Sequence, residues 1–283
     1  MELQNDFLKK TGYLYSKKTD EAWSGLLNKI KQDEIPDLKP SFFSSWAVRI
    51  AAIMVILLGL AWGIQQLINV KVEKVETVSS QRQVTLPDGS IAYLNGNSSL
   101  TYPKIFGTKN RKVTLSGEAF FKVTKNPVKP FIVETKSAQI RVLGTSFNVL
   151  APPEVNRVEV LVKTGIVSLA SIHYRKDRVF LRKDEFGTME AGKAEKAQAP
   201  GENYLSWQTK KFQFKNADLK NVAETLSHAY ATHILLVSDS IGQLRLTSTY
   251  NQVSLKTIIQ SLCLTFHLKS TQNNDEIVLS AVN

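Results

Sequence analysis

The period of the hydrophobic positions changes along the chain, and each change marks a different kind of element. In residues 1–40 the spacing is helical: Leu3, Phe7 and Leu14 share one face, and Trp23, Leu26, Leu27 and Ile30 fall at i, i+3, i+4 and i+7. Asp20 is the expected N-cap of the second helix and Pro36 marks its end. From Trp46 to Ile68 apolar residues occupy every face, and the fifteen residues Ile50 to Ile64 carry no charge. From Arg82 to about Met189 the period is two, and beyond Trp207 strand and helix periods alternate.

The all-round apolar segment decides the expected architecture. With its flanks it reaches 23 residues, against about 20 needed to cross a bilayer. Trp46 and Trp62 lie toward its ends, as interfacial aromatics do, and Arg49 can snorkel outward. A transmembrane helix over 46–68 is therefore expected; a buried core helix is the other reading. A cleaved signal peptide is disfavoured, because about 45 residues precede the run. Flanking charge barely orients it, with Lys29, Lys31, Lys39 and Arg49 on one side against Lys71, Lys74 and Arg82 on the other. Residues 1–45 then form a short helical segment. Two helices this short are marginal alone in water, so they are expected to fold in a partner's groove or lie on a membrane surface.

The period-two region contains strand-like runs at 83–86, 91–94, 112–115, 120–124, 131–135, 140–143, 147–150, 158–162, 166–169 and 179–181. Turn signals separate them at Pro87-Asp88-Gly89, Asn95-Gly96, Ser116-Gly117, Lys125-Asn126-Pro127 and Thr164-Gly165. Short strands at near-even spacing predict an all-β sandwich, barrel or solenoid over 80–190. Phe120, Phe121 and Phe131 read as core. Residues 191–206, small and polar with Pro200-Gly201, read as a linker. In 207–283, Phe212 and Phe214 alternate in a strand, Asp218 caps a helix carrying Leu219, Val222, Ala223 and Leu226, and Ser254 caps another carrying Leu255, Ile258, Ile259 and Leu262. That order predicts a small α+β domain. The expected fold class is thus a membrane-anchored multi-domain chain, with short N-terminal helices, one transmembrane helix, an all-β domain and a small α+β C-terminal domain.

Charge and chemistry narrow the function classes. Net charge is +11, and since residues 1–45 hold seven lysines and seven acids, nearly all of it lies beyond the apolar segment. Such a basic surface fits anionic lipid, an acidic protein or nucleic acid, the last dropping out if this part lies outside the cytoplasm. The single Cys263 excludes an internal disulfide or cysteine-rich zinc site, and it sits on an apolar helix face as a buried thiol. His173, His228, His233 and His267 have no zinc-type spacing. No Walker loop, dinucleotide glycine motif or nucleophile elbow occurs, so no enzyme, cofactor or metal is expected.

Four runs carry a resemblance: VTLPDGSIAYLNGNSSLTYP, RKVTLSGEAFFKV, PFIVET and VLGTSFNV, in that order. Across roughly residues 80–185 the chain resembles the periplasmic domain of the FecR family of anti-sigma regulators. It departs at Lys183-Asp184-Glu185, where relatives usually show Pro-Gly-Glu. The C-terminal unit is similar to the domain that follows in one branch of the family, which resembles the secretin and TonB short N-terminal (STN) module.

The resemblance implies a single-pass inner-membrane protein, N-terminus cytoplasmic and C-terminal domains periplasmic. Trp23, Leu26, Leu27 and Ile30 would hold an extracytoplasmic-function sigma factor. The C-terminal part would meet the signalling domain of an outer-membrane TonB-dependent transporter for an iron chelate or glycan. Some relatives are nicked between a Gly and a Thr, which singles out Gly144-Thr145: the hydroxyl would attack the preceding carbonyl, and water would cleave the ester. The bland reading of that pair is a turn-to-strand transition. The other reading of the whole chain is a membrane-anchored periplasmic binding or scaffold protein without sigma contact.

Overall fold

The computed structural model describes residues 20–31, 42–68, 71–172, 174, 177–273 and 276–282. It divides into two units, Met1–Ile68 and Asn69–Asn283. The expected face of Leu3, Phe7 and Leu14, the stop at Pro36, and His173 lie outside the described residues.

In the first unit, helix α1 covers residues 20–31, and helix α2 covers Phe42–Ile68. Among the described residues no helix is long and apolar enough to cross a membrane. That overturns the expected transmembrane helix at 46–68 and the membrane-anchored fold class built on it. The uncharged run Ile50–Ile64 has fifteen residues, roughly 22 Å of helix, against a hydrocarbon core of about 30 Å. Arg49 and Gln65-Gln66 close it at either end.

The second unit begins with thirteen strands: β1 Val72–Thr77, β2 Arg82–Thr85, β3 Ile91–Leu94, β4 Ser98–Pro103, β5 Arg111–Lys122, β6 Phe131–Glu134, β7 Ala138–Val142, β8 Ser146–Ala151, β9 Arg157–Thr164, β10 Ile166–Ser171, β11 Arg178–Arg182, β12 Phe186–Glu190 and β13 Lys193–Ala197. They form a single sheet with the main path β11-β10-β7-β6-β5-β8-β9-β12-β13. Its ends, β11 and β13, lie against each other, so the sheet nearly closes into a barrel. Strand β5 is the hinge of this arrangement. Residues Arg111–Ser116 pair with β4 and β6, and Gly117–Lys122 pair with β3 and β8.

Ser116-Gly117, expected as a turn, is instead a bend within that one strand. Gly117 has φ +92°, and a Cβ there would lie 2.7 Å from both Asn97 O and Ser98 Cα. Only glycine permits that conformation and that approach. By contrast Pro87-Asp88-Gly89 does turn the β2–β3 hairpin, with Gly89 at φ +78° and Gly89 N donating to Leu86 O at 3.0 Å. Phe121, Phe131 and Phe147 fill the core with Leu94, Leu100, Leu115 and Ile140.

The C-terminal portion runs α3 Ser206–Thr209, β14 Lys211–Asp218, α4 Leu219–Tyr230, β15 His233–Leu236, α5 Asp239–Gly242, β16 Arg245–Asn251, α6 Leu255–Phe266, β17 Leu268–Asn273 and β18 Glu276–Ala281. Asp218 and Ser254 cap α4 and α6, accepting from Asn221 N and Thr257 N. Strand β14 pairs with β16, and β18 lies between β15 and β17. The expected small independent α+β domain is corrected as well. The helices bury Leu219, Val222, Leu226, Ile258 and Leu262 in a cluster that also takes in Phe120 of β5 and Tyr93 of β3. Residues 69–283 are one compact unit because the two portions share that core. The expected linker at 191–206 likewise begins as strand β13, paired with β12 from Phe186↔Ala197 to Glu190↔Lys193.

Candidate functional site

Two places in the fold answer to the residues singled out in the sequence, and a third was missed. On α1, Trp23, Leu26, Leu27 and Ile30 are all half or more exposed. Their spacing puts them on one face of the helix, which is therefore an uncovered apolar stripe.

Gly144-Thr145 sits where the chain leaves β7 and enters β8. Thr145 is buried, and its hydroxyl donates to Ile166 O at 3.3 Å. Among the described residues no imidazole, amine or carboxylate is hydrogen-bonded to that hydroxyl, so no general base is in place to activate it. Gly144 does not adopt positive φ; it is glycine because a Cβ would lie 2.5 Å from Lys125 Cα. The local geometry is that of a tightly packed turn-to-strand transition.

The place that sequence reasoning missed is the seam between the sheet and the C-terminal helices, centred on Glu118. This residue, 3% exposed, follows the Gly117 bend. Its Oε2 accepts from His228 Nε2 on α4 at 2.8 Å and from Asn95 Nδ2 at 2.9 Å, while Oε1 accepts from Asn148 Nδ2 at 2.8 Å. The hydrogen bond to Glu118 holds the His228 imidazole above its ordinary pKa, and burial opposes it. Asn95 is fixed in turn by Gln81, whose amide nitrogen also reaches Trp207 O at 2.9 Å and Ala229 O at 3.0 Å.

Gly96 completes the seam. A Cβ there would lie 2.2 Å from the Cβ of Ala231, the left-handed C-cap of α4. Beside it, Lys210 lies 4.4 Å from the Tyr230 ring centroid and donates to Ala229 O, and burial lowers its pKa to about 8. Tyr204 donates to Glu159 at 3.0 Å, with burial and the nearby carboxylates pushing its phenol up. A cavity of about 520 Å³ opens next to the seam, lined by Tyr204, Phe214, Lys215, Asn221 and His228 among others. The signal in the sequence was an acid between Gly117 and Ala119-Phe120-Phe121, in the buried second half of the strand.

No group of three or more potential metal ligands occurs among the described residues. The seam is a fixed polar clamp joined to an apolar core, and the α1 stripe is an exposed apolar face. The second unit is a nearly closed β sheet with helices locked to it. Residues 73–168 match the FecR protein family and residues 211–279 match the FecR C-terminal family. Those segments follow in order and together cover more than half of the sequence; the chain belongs to the FecR family. The C-terminal match is to the FecR C-terminal family, the domain expected to follow the FecR domain; it adds nothing on a likeness to the STN module.

Two crystal structures of a candidate anti-sigma factor from Parabacteroides distasonis ATCC 8503 share the fold. They have TM-scores of 0.56 and 0.55 and are 26% and 27% identical in sequence. Each covers 75% of this chain and 100% of that chain. No curated protein matches it.

Proposed function

We propose that this chain is an anti-sigma factor. In this reading α1 holds a sigma factor of the extracytoplasmic-function class. The C-terminal portion receives the signalling domain of an outer-membrane TonB-dependent transporter, so that a nutrient at the transporter controls transcription of its own uptake genes. The chain is then a regulator rather than an enzyme.

The observation that carries the reading is the fold: two FecR-family segments in order, on an architecture shared with a candidate anti-sigma factor over the whole of that crystallised chain. The exposed stripe Trp23, Leu26, Leu27 and Ile30 supplies what such a regulator needs, anchors at i, i+3, i+4 and i+7 for a partner's groove. Removing one such anchor typically costs about 2 kcal/mol of binding, or roughly thirtyfold.

Co-purification of the full chain from its native cell tests this. Recovery of a sigma factor that is lost with Trp23→Ala and Leu27→Ala supports the reading. Recovery without a sigma factor, or with one that both variants retain, refutes it. Crosslinking of a transporter signalling domain to residues 207–282 tests the second partner.

A further inference from the structure

One rim of the β sheet gathers exposed aliphatic side chains among cations that have no acid to pair with. The strand registers place them there together. Val72 opens β1 opposite Pro103, which ends β4; Arg111, where β5 starts, pairs with Phe131; Phe131 pairs with Val142; and Ile166 opens β10 opposite Arg182. The loops leaving this rim carry Val72 (61% exposed), Ile105 (81%), Val128 (90%), Leu143 (47%) and Ile166 (55%). Hydrogen bonds tie neighbouring loops to one another: Lys104 N to Lys71 O at 2.9 Å, Lys129 Nζ to Phe106 O at 3.5 Å, Asn126 N to Leu143 O at 2.7 Å, and Thr145 Oγ1 to Ile166 O at 3.3 Å.

Around these tips stand Lys71, Lys109, Lys125 and Lys129, none of them in an ion pair among the described residues. The acids at the same rim are already taken: Glu73 by Lys104 (3.3 Å), Asp88 by Arg111 (2.7 Å), Asp184 by Lys163 (2.9 Å) and Glu185 by Lys196 (2.7 Å). The rim therefore presents uncompensated positive charge and apolar tips in the same direction. A protein pocket would have to match five separate loops, whereas an anionic bilayer surface matches charge and tips without shape.

We propose that this rim rests on an anionic phospholipid surface, its aliphatic tips entering the headgroup layer and its lysines facing the phosphates. The proposal is independent of sigma-factor binding and of α2.

The test uses the full chain carrying Cys263→Ser and Val128→Cys, labelled at the new thiol with an environment-sensitive fluorophore. A second probe at Lys136→Cys, in the β6–β7 turn at the opposite rim, serves as reference. Vesicles containing phosphatidylglycerol should blue-shift the probe at 128 and leave the one at 136 unchanged, and 0.5 M salt should reverse the shift. Each lysine is worth about fivefold in partitioning. Lys109→Ala, Lys125→Ala and Lys129→Ala together should therefore raise the vesicle concentration at half-shift roughly hundredfold.

Equal shifts on phosphatidylcholine vesicles overturn the proposal, because then α2 alone delivers the protein to the bilayer. No shift at 128 on phosphatidylglycerol overturns it too. So does a shift that appears without vesicles as protein concentration rises, which would make a second copy the occupant.

Discussion

Replacing Glu118 by Gln removes the charge at the centre of the seam without changing its volume. Three donors converge on this carboxylate, from His228, Asn95 and Asn148 at 2.8, 2.9 and 2.8 Å. A glutamine offers one acceptor oxygen. If that oxygen keeps the Asn148 bond, its NH2 faces the Asn95 amide donor-to-donor, and His228 loses the anion that holds its proton. A hydrogen bond to a charged group is worth about 1.5–3 kcal/mol. His228 takes the low end because its side chain is 43% exposed, and stranding the Asn95 amide costs about as much again.

The sum is about 3 kcal/mol. For a unit of this size 1 kcal/mol shifts Tm by about 2–4 °C, so Glu118→Gln should melt roughly 6–12 °C below wild type. Thermal unfolding of the full chain, followed through the buried Trp207, is the assay. Hydrogen exchange should show that loss of protection begins in α4. A Glu118→Gln variant melting within 2 °C of wild type would refute the reasoning, since the seam would then be held by apolar contact alone.

Three further outcomes follow from the same geometry. The hydrogen bond to Glu118 raises the folded-state pKa of His228 above the ordinary imidazole value. Its contribution is therefore complete below that value and fades as pH rises through the folded pKa. The Tm gap between wild type and His228→Gln should accordingly narrow from pH 6 to pH 9. Lys210, with its lowered pKa, acts in the opposite sense. Gly96→Val places a side chain where even a Cβ would lie 2.2 Å from Ala231 Cβ. It should cost about 3 kcal/mol, read as a lowered urea midpoint together with faster proteolysis around residue 231. Thr145→Ala should leave the fragment pattern in native cells unchanged, because the hydroxyl is bonded only to a carbonyl; loss of a defined fragment ending at Gly144 would overturn that.

What the sequence made legible was local. Asp218 and Ser254 cap helices through amides three residues on, a relation that needs no tertiary context, and both caps are present. The Asp88-Gly89 turn has the same character. What stayed hidden was set by distant contacts. Asn95-Gly96 reads as a hairpin turn, yet Asn97 takes the positive φ of 54° and Gly96 is glycine because Ala231 packs on it.

Strand β13, KAEKA, has the composition of a linker. It is a strand because backbone pairing with β12 tolerates any side chain that can face solvent. Strands β1, β4 and β12 were missed because their mixed polar and apolar residues gave too weak an alternation. The apolar stripe on α1 was legible as a face. The Glu118 clamp was not, since nothing local says which helix will meet a buried acid.

The shared core changes what a signal at the C-terminal portion can do. Had residues 207–283 been a separate domain on a linker, a partner could engage it and leave the sheet undisturbed. Instead α4 is fastened to β5 through His228 and Glu118, and Phe120, two residues on, is part of the helices' own core. Any partner that moves α4 must break charge-assisted bonds to a strand that runs unbroken back to Arg111, itself locked to Asp88 at 2.7 Å and to Lys129 O at 2.9 Å. At about 3.3 Å per residue the straight stretch from Arg111 to the Gly117 bend and Glu118 spans roughly 23 Å, joining the seam to the lysine-rich rim. Displacement of α4 and a change of contact at the rim are therefore competing demands on one rigid element, and weakening Glu118 should loosen the link between them.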